Sequence, residues 1–296
     1  MFKMIKIHPA PKRKPDWLKI KLRTTENYND MKSLMDTYQL NTVCEEAKCP
    51  NIYECWDNRT ATVMILGDVC TRACGFCSVK TGKPNVVDTN EPSRVSELVQ
   101  KLNLRHVVIT SVDRDDLKDD YGAQIWMETI SLIKDKSPNC TVEVLTPDFR
   151  GYKPALKKVF SSKPHIFSHN IECVERISKE VRVQSNWQRS LDVLKFSVDN
   201  NMSTKTGIMV GLGETDEEVF STMEEIYNIG VKIFNIGQYL QPTNKNLSVQ
   251  RFVDPAVFKK YETFGYNLGF DVVESGPLVR SSYHADKQAR AFGLDC

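Results

Sequence analysis

The stretch ATVMILGDVCTRACGFCSV, residues 61–79, decides the fold. Its first half is an apolar run rich in β-branched residues that ends on Gly67 and Asp68. Its second half sets Cys70, Cys74 and Cys77 in a CxxxCxxC spacing, with no fourth cysteine nearby. Six runs of similar texture follow: RHVVITSV (105–112), TVEVLTPD (141–148), HIFSHNIE (165–172), STKTGIMVGLGE (203–214), VKIFNIGQYL (231–240) and FDVVES (270–275). Most are apolar enough for burial on both faces, the habit of strands in a parallel sheet.

Helical stretches separate these runs. The clearest begins at Thr215, whose hydroxyl caps the helix while Glu218 reaches back to complete a capping box. Val219, Met223, Ile226 and Tyr227 then recur at helical spacing before Gly230. In residues 254–269, Asp254 is the cap, Pro255 opens the first turn and Gly269 stands beyond the end. Strand followed by helix, repeated, implies parallel strands joined by right-handed crossovers. The expected fold class is α/β: a partial (β/α)6 TIM-type barrel over residues 57–270, with an N-terminal extension (1–56) and a C-terminal segment (271–296). Ligands of such barrels sit at the carboxyl ends of the strands, and Cys70 directly follows the first one.

Composition sets the outer bounds. A chain of 296 residues, 41% of them hydrophobic, buries a sizeable core. Its 40 Lys and Arg against 38 Asp and Glu leave a net charge of +2, which gives no reason to expect a nucleic-acid partner. The apolar runs are far too short to span a membrane, and the start, MFKMIKIHPAPKRKPDW, has no secretory h-region. Cytoplasmic residence without membrane association is expected. Residues 3–23 carry eight Lys or Arg against Asp16 alone, broken by three prolines. That segment reads as a solvated arm or as a surface for an acidic partner.

Six of the nine cysteines fall between residues 44 and 77, and in a reducing compartment they are not expected as disulfides. Cys140, Cys173 and Cys296 read as isolated thiols. A structural zinc site takes four protein ligands, and neither a second CxxC hook nor a His pair lies at the right distance from Cys70. A cubane iron–sulfur cluster has one ligand for each of four irons, so three cysteines leave one iron open for a substrate. Upstream, VCEEAKCPNIYECW sets Cys44, Cys49 and Cys55 at spacings of five and six. Neither spacing stacks thiolates on one helical face and Pro50 interrupts any helix, so a loop wrapped around its ligand is expected. This second set of three is completed by a distant residue or also leaves an iron open. Zinc sites or redox thiols are the alternative reading of both triplets.

CxxxCxxC with Phe76 before its third cysteine resembles the signature of the radical S-adenosylmethionine enzymes, and the upstream CxxxxCxxxxxC is similar to that of the lipoyl synthase family. The similarity runs from about residue 40 through VVITSVDRDDL, MVGLGETDEEV, NIGQYLQPT and GPLVRSSYHAD. It implies an enzyme with two 4Fe-4S clusters and S-adenosyl-L-methionine, a sulfurtransferase of lipoate biosynthesis. The open iron on Cys70, Cys74 and Cys77 is then expected to chelate S-adenosylmethionine, whose cleavage gives methionine and a 5'-deoxyadenosyl radical. The resemblance implies Ser282 as fourth ligand of an auxiliary cluster on Cys44, Cys49 and Cys55, with Ser281 the lesser candidate. That cluster is expected to donate sulfur to carbons 6 and 8 of a protein-bound octanoyl-lysine. Phe76 is expected near the adenine, and Ser111, Asp113, Asn170, Gly211 and Arg280 are the remaining candidate cofactor contacts. The implied partners are octanoylated lipoyl-domain proteins (the acyltransferase subunit of a 2-oxoacid dehydrogenase, the glycine cleavage H protein), an electron donor such as ferredoxin or flavodoxin, and an iron–sulfur carrier. A zinc-stabilised RNA-binding module using the basic arm, or another sulfur-inserting radical enzyme, is the competing reading. The chain departs from the family pattern at Asp120 and Tyr121, at Cys173, and in NKNLSVQRF.

Overall fold

The computed structural model describes residues 13–20, 24–57, 60 and 62–294. Most of the basic arm, and Cys296, lie outside the described residues. The first described segment holds a 3-10 turn, Asp16–Leu18, in which Leu18 is buried while Trp17 and Ile20 are exposed. Helix α1 (Glu26–Thr37) follows, capped by the Thr25 hydroxyl, which accepts from the Tyr28 amide at 3.2 Å. The upstream cysteine triplet rides on two short helical pieces rather than a loop. Cys44 lies in α2 (Val43–Glu46), Cys55 in α3 (Ile52–Asp57), and Cys49 in the turn between them. Pro50 does break the helix as expected, and Lys48 takes φ 51° to make the corner.

The main sheet runs in the order β1 (Asn41–Thr42), β2 (Thr62–Ile65), β5 (His106–Ser111), β6 (Thr141–Leu145), β7 (Ile166–Ser168), β8 (Thr204–Val210), β9 (Ile233–Gln238), β10 (Val272–Gly276). A small parallel pair, β3 (Val69–Cys70) and β4 (Lys80–Thr81), brackets the cysteine loop. Among the described residues only β1 is antiparallel to its neighbour; the other seven strands of the sheet are parallel, and β1 and β10 do not pair, so the barrel is open. All seven runs read from the sequence are strands. The seventh, β10, pairs in register with β9 although it lies in the segment expected to be a C-terminal extension. Residue 270 is therefore no structural boundary. One row across the sheet, Val63, Ile109, Val144 and Phe167, is wholly buried, as the β-branched character of these runs requires.

Helices α4 (Glu91–Lys101), α5 (Ala123–Lys136), α6 (Lys153–Ser161), α7 (Ser178–Val181), α8 (Trp187–Asp199), α9 (Asp216–Ile229) and α10 (Pro255–Leu268) connect the strands, and α11 (Ala285–Ala291) follows β10. Helix α9 has the complete capping box of Thr215 and Glu218 and ends on Gly230 at φ 100°. Helix α10 has its Asp254 cap and Gly269 at φ 107°. The departure at Asp120 and Tyr121 has a local cause. Asp120 accepts from the amides of Gly122 and Gln124 and pairs with Lys158, while Tyr121 takes the left-handed conformation (φ 55°) of a turn that glycine would otherwise fill.

Candidate active site

Two cavities lie against each other: the larger opens at the carboxyl ends of the strands, and the smaller reaches Thr62 and His106, the first residues of β2 and β5. The larger, about 480 Å³, is lined by Cys70, Cys74, Phe76 and Cys77 from the segment after β2, together with Ser111 at the end of β5, Asp113 beyond it and Asn170 after β7. The smaller, about 360 Å³, is lined by Cys44, Cys49 and Cys55. Cys44, Cys49, Arg280 and Ser282 face both, so they form a common wall. Two of these four come from near residue 45 and two from near residue 280. Asn51 joins the segments by donating to the Leu278 carbonyl at 2.7 Å, and Tyr283 donates its hydroxyl to Glu54 at 3.2 Å.

The structure separates the two serines. Ser281 is engaged: Asn170 Nδ2 donates to its hydroxyl at 2.5 Å and Asn235 Nδ2 to its carbonyl at 3.1 Å. Ser282 is the serine on the wall that the smaller cavity reaches. Asn170, a candidate cofactor contact, thus also fixes the serine segment. Gly237 on β9 allows that segment to lie close, since a Cβ there would stand 2.1 Å from the Val279 carbonyl oxygen.

The loop between Cys70 and Cys74 is held from beneath by Arg72, which is 3% exposed. Its guanidinium meets Asp115 through two bonds of 2.9 and 2.8 Å, Asp148 at 2.6 Å and Asp113 at 3.2 Å. Asp148 also receives Arg189 at 3.2 Å and the Arg150 amide at 2.9 Å. Burial alone would raise Asp148, yet Arg72 holds it well below the usual carboxylate range. The amides of Arg72 and Asp113 donate to the Cys70 sulfur at 3.4 and 3.3 Å. Thr71 and Ala73 are pinned in turn by Gln184. Arg72, Asp115, Asp148 and Gln184 were not readable as a set, because they converge from four separate loops. The only sequence trace is the acidic run after β5 and the Pro-Asp after β6.

Burial pushes the thiols of Cys44 and Cys55 up to about 12, with repulsion among the three cysteines adding to it. Cys49 is raised by burial too, against the pull of Arg280. In the other triplet burial, then Asp113, lifts Cys70 to about 11 and Cys74 to about 12. Such thiols lack the lowered pKa of redox-active cysteines. They would give up their protons to a bound metal, as ligand thiols do. Among the described residues no three His, Cys, Asp or Glu side chains close in tightly enough for a single metal ion. A lone zinc with bonds of about 2.3 Å needs such convergence. Three thiols lining one cavity are a donor set that a multi-iron cluster could also take.

Gly211 does not line either cavity. It sits at φ 96°, where a Cβ would strike Gln238 Nε2 at 2.2 Å and the Arg251 carbonyl at 2.4 Å, and its amide donates to Glu214. The glycines of GLGE serve this packing and the start of α9, and the expected cofactor contact at Gly211 is withdrawn. Glu172, Arg182 and Tyr239 line the larger cavity without having been singled out.

A family model for the Radical SAM superfamily matches residues 64–226, and one for the N-terminal domain of lipoyl synthase matches residues 4–49. Lipoyl synthase of Flavobacterium johnsoniae is 51% identical over 95% of this chain and 98% of its own length. Lipoyl synthase of Staphylococcus aureus is 52% identical over 93% of this chain and 91% of its own. The mitochondrial lipoyl synthase of Nematostella vectensis is 49% identical over 95% and 97%. Among solved structures, Streptococcus suis SuiB bound to S-adenosylmethionine superposes with a TM-score of 0.58 at 11% identity, covering 84% of this chain and 61% of that one, a likeness of fold alone. No helix among the described residues is long and apolar enough to cross a membrane. The chain belongs to the lipoyl synthase family of the Radical SAM superfamily.

Proposed function

We propose that this chain is a lipoyl synthase that inserts two sulfur atoms, at carbons 6 and 8, into an octanoyl group carried on a lysine of a lipoyl-domain protein. The observation that carries the reading is the common wall, which brings Cys44 and Cys49 of one triplet, with Ser282, onto the cavity that Cys70, Cys74 and Cys77 line. In this reading Cys70, Cys74 and Cys77 hold one 4Fe-4S cluster with S-adenosylmethionine, and Cys44, Cys49, Cys55 and Ser282 hold a second. When bound, these groups supply hydrogen abstraction from unactivated carbon and the sulfur that replaces the hydrogen.

The chain's own part is placement. Arg72 and its carboxylates fix the loop that carries Cys70, and two amides donate to that cysteine's sulfur, a contact that tunes a cluster ligand. Asn170 and Asn235 hold Ser281, which leaves Ser282 to face the other triplet. Phe76, Ser111, Asp113 and Arg280 line the cavity from different sides, available to orient the cofactor and offset charge. A serine oxygen is a harder donor than thiolate and a poor match for soft iron, which suits a cluster that must give up sulfur. Residues 1–56 and the segment from β10 onward are assigned to building the second site around the barrel. The acyltransferase subunit of a 2-oxoacid dehydrogenase and the glycine cleavage H protein are the proposed carriers, ferredoxin or flavodoxin the electron donor, and an iron–sulfur carrier protein the source of new cluster. Cytoplasmic residence fits a chain of this kind.

The test is mass spectrometry of an octanoylated lipoyl-domain peptide incubated with the anaerobically reconstituted protein, a reductant and S-adenosylmethionine. Exchange of two hydrogens for two sulfurs is expected. A peptide of unchanged mass, alongside normal cleavage of S-adenosylmethionine, would show another radical reaction.

A further inference from the structure

We infer that the mouth of the larger cavity carries a dock for the acidic surface of a carrier protein, built by Lys14, Lys48 and Ile20 and extended by the exposed Trp17 of the same segment. The inference rests on the reading that the substrate is an acyl-lysine borne on a protein. Lys14, Ile20 and Lys48 line that cavity while remaining exposed, so they stand at its opening. Neither lysine pairs with an acid among the described residues. Lys48 is held outward by the corner at φ 51° between two proposed ligands, Cys44 and Cys49. Trp17 and Ile20 are 43% and 37% exposed, two large apolar side chains within four residues, and the buried Leu18 between them ties their segment to the fold.

A lysine side chain with an eight-carbon acyl chain is about as long as four extended residues, roughly 15 Å. A carrier whose acyl terminus reaches the wall between the triplets therefore has its own surface pressed against this mouth. Whatever lies on the rim contacts it. The rim offers the parts of a recognition patch, an aliphatic side chain beside unpaired cations, and the exposed Trp17 stands three residues from Ile20 in the same segment. Arg13 adds a further charge, whereas Lys19 is already taken up by Asp16. Unpaired rim charges act chiefly on the rate of encounter and on its salt dependence, and they select a partner of opposite sign.

The experiment compares kcat/KM of the reconstituted full chain on an octanoylated lipoyl-domain protein and on a short octanoyl-lysine peptide without acidic residues. For Lys14→Glu the ratio of carrier to peptide is expected to fall about tenfold, and for Trp17→Ala a few-fold. Raising salt to about 0.5 M should erode the native protein's preference for the carrier and leave the peptide rate level. An unchanged ratio in both variants, or a carrier rate indifferent to salt, overturns the dock while the peptide is still turned over. Absence of sulfur in either substrate overturns the function reading itself, and the dock with it.

Discussion

Replacing Arg72 with alanine tests whether the loop between Cys70 and Cys74 is held by charge. Asp148 has no exposure at all, and its closest cation is Arg72 at 2.6 Å. Asp115 would lose a two-point contact, and Asp113 its neighbour at 3.2 Å. Breaking a buried ion pair from one side costs roughly 3–5 kcal/mol, because the remaining charge is stranded. Arg189 stays with Asp148 at 3.2 Å and Arg150 lies 3.6 Å from Asp115, so the lower part of that range, about 3 kcal/mol, is expected. At about 2–4 °C per kcal/mol for a chain of this size, Tm should fall by roughly 6–12 °C. Arg72→Lys keeps one charge but not the planar fork, and should lose about half as much. The decisive measurement is a double-mutant cycle followed by thermal circular dichroism. Asp148→Asn removes the stranded charge, so adding it to Arg72→Ala should restore about 1 kcal/mol or more. If Arg72→Ala costs under about 1 kcal/mol, or if Asp148→Asn worsens it, the loop is not held electrostatically. S-adenosylmethionine cleavage should drop by about a hundredfold in the alanine variant, the usual consequence of moving a reacting group by about 1 Å.

Four further outcomes are expected. Cys74→Ala should abolish S-adenosylmethionine cleavage, whereas Cys49→Ala should preserve cleavage and yield no sulfur in the product; equal loss of cleavage in both would erase the division of labour. Gly237→Ala should displace the segment carrying Arg280 and Ser282, because the new methyl would stand 2.1 Å from the Val279 carbonyl oxygen; iron analysis should show one cluster lost and one retained. Ser282→Cys should slow sulfur release and leave S-adenosylmethionine cleavage unaltered; sulfur insertion at the native rate would rule out a labile serine ligand. His169, buried and near Arg182, has its pKa pushed down to about 4, with its Nδ1 on the Thr146 carbonyl at 2.9 Å. The unfolded chain takes up that proton from about pH 6.5 downward and the folded chain does not, so stability falls as pH drops. Urea unfolding should show about 2 kcal/mol lost between about pH 7 and pH 5, with His169→Asn flattening the slope.

The barrel was legible because its signals are local. Thr215 with Glu218 and Asp254 with Pro255 are complete within one turn of helix, and the β-branched runs repeat with a period that no other element shares. Each cysteine triplet was legible as a group, and the structure sets each one on a cavity, whereas Ser282 was named only through the resemblance of RSSYHAD. Contacts between distant loops were not. Nothing near Arg72 announces Asp148, which lies 76 positions away, and nothing in VCEEAKCP distinguishes a loop from two helical turns around a left-handed lysine. Gly211 misled for a physical reason: glycine is needed wherever backbone crowds, and here the crowding comes from Gln238 and Arg251 rather than from a ligand.

The wall shared by the two cavities joins positions 227 and 229 residues apart, through Asn51 with Leu278 and Glu54 with Tyr283. Chains leave the ribosome from the N-terminus, and early parts begin to fold first. The loop of Cys70, Cys74 and Cys77 and all of the carboxylates that grip Arg72 have emerged by residue 189. A nascent chain stopped after α9 would hold Arg72 and its carboxylates but lack Asn246 and Leu247, which donate to the carbonyls of Gly75 and Cys77, as well as Arg280 and Ser282. The half of the machinery proposed to surrender sulfur is thus finished last, after the contacts from Asn246 and Leu247 have closed the loop of Cys70, Cys74 and Cys77.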